Sequence, residues 1–314
     1  MNGTESRLTS RSTAIIAAET SILLLIGLIT FVGNLLVVIS IYRNPSLRTI
    51  TNYFVLSLCV TDILAPLLGL TPILAWSIRN HFFEVFGEGT CIFQGLLTTG
   101  LTYISVITIT LMAVNRFIRV CKPDKYSKLF NKKTSLIMIG ALWTTVFTLE
   151  LVALYGRKEN KFAFVKFLEH KLTCGLMFNR DQKSSRTIGT LTLIFILLVP
   201  FIIIFFCYFK VFKKIRQHKR SIAPASNPRS LGTSVQEIKV TRTLFAVLIG
   251  YCFTWIPVMI VTLLSNLFGS RSLPRQAHMI VTFSGISSSA INPVIYGILN
   301  RTFRHEYQRI VCLK

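Results

Sequence analysis

The chain predicts an all-α membrane protein, a seven-transmembrane helix bundle closed by a short amphipathic C-terminal helix. Three observations predict this class. Seven apolar stretches divide the sequence, the remaining charge is crowded between them, and polar or kinking residues interrupt several runs at matching depth. At ~1.5 Å rise per residue, about 20 helical residues cross a ~30 Å hydrocarbon core. Mean hydropathy is +0.58 and 15% of the 314 residues are charged, well below the share of about 25% in soluble domains. Lipid contact accounts for the surplus apolar surface. The spans use most of the length, so residues 1–314 read as one domain, without a separate soluble unit.

In order, the spans are read as Ser21–Tyr42, Tyr53–Ile78, Cys91–Val120, Ser135–Tyr155, Thr187–Phe212, Ile238–Leu267 and Gln276–Leu299. Residues 1–20 form an outer tail, 21–299 the bundle, and 300–314 an amphipathic helix and tail. Met1 to Arg11 is polar and lacks the short apolar core of a signal peptide, so the first span is expected to direct insertion itself. Asn2-Gly3-Thr4 is a glycosylation sequon, which predicts a modified Asn2 and an outside N-terminus. A second sequon, Asn300-Arg301-Thr302, falls on the cytoplasmic side and is expected to be silent.

The net charge of +23 is a topology signal before anything else. Short loops rich in Lys and Arg stay in the cytoplasm, and the segments Arg119–Lys133 and Lys210–Arg242 carry the strongest such bias. Anionic lipid headgroups and an acidic cytoplasmic partner are the expected counter-charges. No nucleic-acid module is visible. Of the seven cysteines, Cys59, Cys207 and Cys252 lie within spans as packing residues. Cys91 and Cys174 are the pair placed at the oxidising exterior, so a disulfide between them is predicted. It would tie the top of the third helix to the second outer loop. Cys312 is either a palmitoylation site or a plain thiol.

Counting upward from the inner ends at ~1.5 Å per residue places Asn34, Asp62, Ser105, Ser288 and Asn292 about 10–17 Å above the inner surface. Four helices contribute to this one level. An ionisable residue at mid-membrane costs ~2.5–3.5 kcal/mol and normally faces the bundle interior. The layer is read either as a hydrated cluster in which Asp62 helps to hold Na⁺ through oxygen ligands or as a hydrogen-bond knot that orients helices. Glu150 lies nearer the outer surface with no evident partner, as a snorkelling or a pocket residue. Pro200, Pro257 and Pro293 each remove a backbone donor and predict irregular helices. Trp255 sits beside Pro257, where a shape change above could become a tilt below. Arg116 ends the third span, about 37 Å of helix below Cys91. Its acid partner is read as Glu237, at the start of the sixth span.

Together these elements resemble the rhodopsin-like class of G-protein-coupled receptors over essentially the whole chain. The matching stretches are Gly33-Asn34, Leu56-Ser57-Leu58-Cys59-Val60-Thr61-Asp62, and Cys91 through Asn115-Arg116-Phe117. Trp143, Pro200 and Tyr208, Phe253-Thr254-Trp255-Ile256-Pro257, and Asn292 to Tyr296 complete the set. The resemblance implies a sodium site at Asp62, Ser105, Ser288 and Asn292, a toggle at Trp255, and an activation switch of Arg116, Tyr208 and Tyr296. No other cofactor is implied. Ligand-pocket candidates are Thr98, Thr99, Thr102, Thr192, Trp255, Met259, Thr262 and Phe178. The implied partners are an extracellular small molecule and a heterotrimeric G protein, with Gi/o favoured, in the plasma membrane.

Within the class the chain is most similar to melatonin receptors, through Tyr42-Arg43-Asn44, Asn115-Arg116-Phe117, Lys125 to Phe130, and the closing run from Ile295 to Tyr307. The pocket departs from that group, which uses an asparagine and a glutamine where this chain has Ala153 and Phe178. Amine receptors carry an aspartate eighteen residues before the Arg116 position, where this chain has Thr98, and this disfavours simple amines. The outer loop from Arg157 to Arg186 is predominantly basic, which suits an acidic ligand by long-range steering. The alternative functions are therefore a receptor for a lipid, an acidic metabolite or a peptide, and then a seven-helix channel or transporter. A transporter predicts internally repeated halves and charges lining a path, and neither is present in the sequence. An enzyme is not expected, because the five histidines are scattered without ligand or nucleophile–base spacing.

Overall fold

The bundle starts at Ser12, whose hydroxyl oxygen accepts from Ile15 N at 3.3 Å and caps helix α1, Thr13–Arg43. The helix thus begins eight residues before the expected Ser21. An ion-pair cluster holds this added segment: Glu19 meets Arg11 at 3.2 Å and Arg275 at 2.5 Å. A computed structural model describes residues 11–78, 82–157, 163–178, 187, 191, 194–221, 228–268 and 272–312. The expected sequon at Asn2 lies outside the described residues.

The remaining elements follow in chain order. Helix α2 (Ile50–Leu64), capped by Thr49, passes through a π turn at Ala65–Leu70 into α3 (Thr71–Ile78). Helix α4 (Phe82–Cys121) is broken at Gly87, whose φ of 66° is left-handed and available to glycine at little steric cost. The third span therefore runs from Gly87. Then come α5 (Pro123–Leu129), α6 (Lys132–Arg157), strands β1 (Ala163–Leu168) and β2 (Thr173–Phe178), α7 (Val199–Ser221), α8 (Pro228–Phe268), α9 (Arg275–Leu299) and α10 (Arg301–Val311). Seven of the helical segments are long and apolar enough to cross a membrane.

Two features differ from the expected pattern. The outer loop holds an antiparallel hairpin with Phe167 opposite Cys174, so the chain is not helical throughout. Kinks also occur beyond the three anticipated prolines. Pro66 sits at the head of the π turn in the second span, and a second π turn at Ile194–Leu198 precedes Pro200. A proline ring clashes with the carbonyl one turn earlier, and a widened turn relieves that clash.

Apolar packing forms two clusters. The larger joins Phe54, Leu58, Ile109, Tyr208, Trp255 and Tyr296 in the inner and middle bundle. The smaller joins Leu23, Leu70, Trp76, Phe167, Leu172 and Met279 under the outer hairpin. The amphipathic helix α10 is anchored to the bundle rather than simply lying beside it. Asn300 caps it, Phe303 is buried, and Glu306 accepts from Asn44 Nδ2 at 3.0 Å.

Close approach of α1 to α9 depends on Gly33, where a Cβ would stand 2.6 Å from Pro293 Cγ. Gly33→Val is expected to destabilise the protein by about 1–3 kcal/mol through overpacking. Gly140→Val is the control, since a Cβ there meets nothing within 4 Å. Thermal unfolding of both purified variants in detergent checks this; equal midpoints would refute the contact.

Candidate functional site

Pro293 lacks a backbone N–H, so the carbonyl one turn back, on Ser289, loses its helical donor. Asn34 supplies a replacement: its Nδ2 donates to Ser289 O at 3.2 Å and to Thr30 O at 2.9 Å. On the other side of the same turn, Asn292 Nδ2 donates to Asp62 Oδ2 at 3.1 Å, and the Ser289 side chain lies beside that carboxylate. Asn34, Asp62 and Asn292 are buried and belong to α1, α2 and α9. The expected polar layer is therefore assembled around one kink. Ser105 joins it through Thr61, with Oγ atoms 2.9 Å apart.

Ser288 is placed differently. Its hydroxyl donates to Gly285 O at 2.7 Å within its own helix. Sequence reasoning passed over Ser289 and Thr61; the position one turn before Asn292 was the available signal for Ser289. Oxygen ligands suited to a hard monovalent cation are present in Asp62, Ser105 and the Oδ1 of Asn34, which is buried without a hydrogen-bond partner among the described residues. Among the described residues no three His, Cys, Asp or Glu side chains converge as a transition-metal centre would need.

At the inner rim Arg116 is buried, and its Nη2 donates to Thr51 Oγ1 at 3.0 Å. Thr51 donates in turn to Asn115 Oδ1 at 3.1 Å, and Asn115 Nδ2 donates to Tyr126 OH at 3.4 Å. A neutral Asn115 cannot pair with its neighbouring guanidinium, so it links α2, α4 and α5 by hydrogen bonds instead. The side chain of Glu237 lies outside the described residues. Tyr208 lies within electrostatic reach of Arg116. Tyr296 stacks on Phe303 with centroids 5.5 Å apart, and its buried hydroxyl has no hydrogen-bond partner among the described residues.

The predicted disulfide is formed between Cys91 and Cys174, with Cα atoms 5.4 Å apart. Gln94, unremarked in the sequence, secures it. Its Oε1 accepts from Cys174 N at 2.8 Å while its Nε2 donates to Thr173 Oγ1 at 2.9 Å. Cys312 stands exposed just after α10.

The ligand-pocket candidates do not form a single set. Thr98 and Thr99 donate to the carbonyls of Gln94 (2.8 Å) and Gly95 (2.7 Å), so both hydroxyls are used within α4. Thr102, Met259 and Thr262 are half-buried. Trp255 is buried against Tyr251, with centroids 5.7 Å apart. Thr192 and the Phe178 side chain lie outside the described residues. A cleft of 760 Å³ opens between α8 and α9 beside Pro257, with Phe253, Ser284, Ser287 and Ile29 also lining it. Phe253 is exposed, so this cleft opens on the outer surface of the bundle beside Pro257.

The outer cap carries a histidine pair. His170 lies 4.2 Å from His278 between ring centroids, and Thr282 donates to the Lys171 carbonyl at 2.8 Å. Burial pushes the His170 imidazole down to about 4, with His278 and Lys171 adding to the shift. The same desolvation lowers Lys171.

Over residues 33–296 the chain matches the family described as 7 transmembrane receptor (rhodopsin family). Melatonin receptor type 1A of Phodopus sungorus is 31% identical over 294 residues, covering 92% of this chain and 79% of that protein. The histamine H2 receptor of Homo sapiens is 27% identical over 315 residues, covering 100% and 84%. Octopamine receptor beta-2R of Chilo suppressalis is 26% identical over 325 residues, covering 95% and 80%. A crystal structure of squid rhodopsin superposes with a TM-score of 0.81 at 18% identity, covering 100% of this chain and 90% of that one. At that identity the likeness is one of fold.

A neutral, half-buried His170 has a testable cost in acid. Its folded value lies below the ordinary 6.5, so the unfolded chain binds the proton first. Stability should fall as pH drops from about 6.5 toward about 4. Unfolding midpoints at neutral and mildly acidic pH check this, and His170→Asn should flatten the acid limb. An unchanged limb in that variant would assign the loss to other groups.

Proposed function

Because the chain belongs to the rhodopsin family of seven-transmembrane receptors, we propose that it binds an extracellular small molecule and activates a heterotrimeric G protein of the Gi/o type. It is a multi-pass membrane receptor, not an enzyme. Plasma-membrane location, an outside N-terminus, glycosylation at Asn2 and lipidation at Cys312 complete the proposal.

The observation that carries it is the continuity of α4. One helix joins the disulfide-tied outer cap at Cys91 to the buried Arg116 at the inner rim, and the Asp62 layer touches it midway through Ser105. Ligand binding among the outer halves shifts a pre-existing equilibrium toward an open inner face. Trp255 and Pro257 are the hinge, with the cleft beside them giving α8 space to swing. Arg116 then leaves its resting partners, Thr51 and Glu237, and a crevice admits the G protein. Asp62 with Ser105, Asn292 and Asn34 Oδ1 would hold Na⁺. A bound cation would supply a positive charge that balances the buried carboxylate. Relatives in this family are named for melatonin, octopamine and histamine, so small nitrogenous molecules are the first ligands to test.

A G-protein dissociation assay on cells expressing the full chain tests the reading, with these three compounds as probes. Gi/o activation by any of them is the supporting result, and silence of every G protein, basal and stimulated, rejects it. Glu237→Ala is expected to raise basal Gi/o signalling, and an unchanged baseline would remove Glu237 from the latch. Asp62→Asn should abolish any sodium dependence of agonist affinity; retained sensitivity would place the ion elsewhere.

A further inference from the structure

The signalling path leaves one embedded acid unused. On the outer half of α6, Leu149, Leu151 and Val152 are 62%, 64% and 63% exposed, while Val146 and Glu150 are buried on the opposite side at 4% and 7%. That side packs on α4. A Cβ at Gly100 would stand 3.5 Å from Glu150 Cγ, and Tyr103 lies within electrostatic reach of the carboxylate. Gly100 is about 24 Å above Arg116, between Thr99 and Thr102, at the level assigned to the ligand.

Among the described residues, Glu150 Oε2 is buried without a hydrogen-bond partner, and none of their ion pairs includes this side chain. Ionised, it lacks a counter-charge; protonated at Oε2, it lacks an acceptor. An acid within the membrane normally has a partner from the bundle, and here none of the described residues supplies one. Thr98, where amine receptors keep their aspartate, offers no anion, and its hydroxyl is bonded to Gln94 O at 2.8 Å. The acid stands on the neighbouring helix instead.

We propose that Glu150 is the counter-ion for a cationic ligand, a small protonated amine whose ammonium group sits between Glu150 and Tyr103. This rests on the receptor reading and adds the ligand's charge to it. Repulsion from distant charges of the basic outer loop is screened by salt beyond about 8 Å. The buried carboxylate acts at contact. Octopamine and histamine carry such an ammonium group; melatonin, whose side-chain nitrogen is an amide, does not.

The test uses the full-length protein in detergent, with unfolding midpoints measured against octopamine, histamine, tyramine and tryptamine. Melatonin is the uncharged control, and each compound is present at about 1 mM, enough to occupy a weak site. A ligand bound only by the folded state raises the midpoint, and at least one amine is expected to do so in the wild type. Glu150→Gln should weaken that amine about 100-fold while keeping or raising the unliganded midpoint. Glu150→Asp, which retracts the charge by one methylene, should give an intermediate loss and serves if the Gln variant does not fold. The proposal is overturned if no amine stabilises the wild type, or if the gain persists unchanged in Glu150→Gln. Stabilisation and Gi/o activation by melatonin alone, intact in Glu150→Gln, would discard the ammonium site and leave the receptor reading standing. Silence of every G protein would instead reject that reading itself.

Discussion

Loss of one backbone donor at Pro293 organises the middle of the bundle. The carbonyl left over on Ser289 is met by Asn34 from α1, and that reach is short enough because Gly33 has no side chain to hold the helices apart. The turn so fixed presents Asn292 and Ser289 to Asp62 on α2. Just below, the Pro293 carbonyl accepts from Tyr307 of α10 at 3.3 Å. Four elements therefore meet at one proline. In hydrocarbon an unsatisfied carbonyl is costly, so these partners cannot leave independently.

The second organising element is α4, which is held at both ends. At the top the Cys91–Cys174 disulfide and the Gln94 bridge fix it to the hairpin. At the bottom, Asn115 and Arg116 share Thr51 on α2 and reach Tyr126 on α5. Trp143 extends the same scheme sideways, donating from α6 to Ser57 on α2 at 2.9 Å. Beside this fixed frame α8 carries Pro257 and borders an open cleft. A rigid strut beside a kinked neighbour is the arrangement a population shift requires.

Much of the site was legible before any coordinates. Helical rise alone placed Asn34, Asp62 and Asn292 at one depth, and all three meet in the fold. The disulfide followed from topology, because Cys91 and Cys174 were the cysteines placed outside. Other choices were not legible. Ser288 and Ser289 lie at the same depth but about 100° apart around the helix, and only Ser289 faces Asp62. Gln94 reads as an ordinary polar residue until the hairpin folds over it. The π turn at Pro66 was missed because prolines in membrane helices are tolerated in several geometries.

The sequence by itself determined the seven crossings and the relative depth of each polar group along its helix. Those are properties of single helices, set by hydropathy, charge and rise per residue. Tertiary structure decided which way each helix faces, which serine meets the carboxylate, and that Thr51 meets Arg116. It also decided that Glu150 Oε2 is buried with no hydrogen-bond partner among the described residues. Rotation about a helix axis is nearly free for an isolated span and is fixed only when side chains from different helices pack.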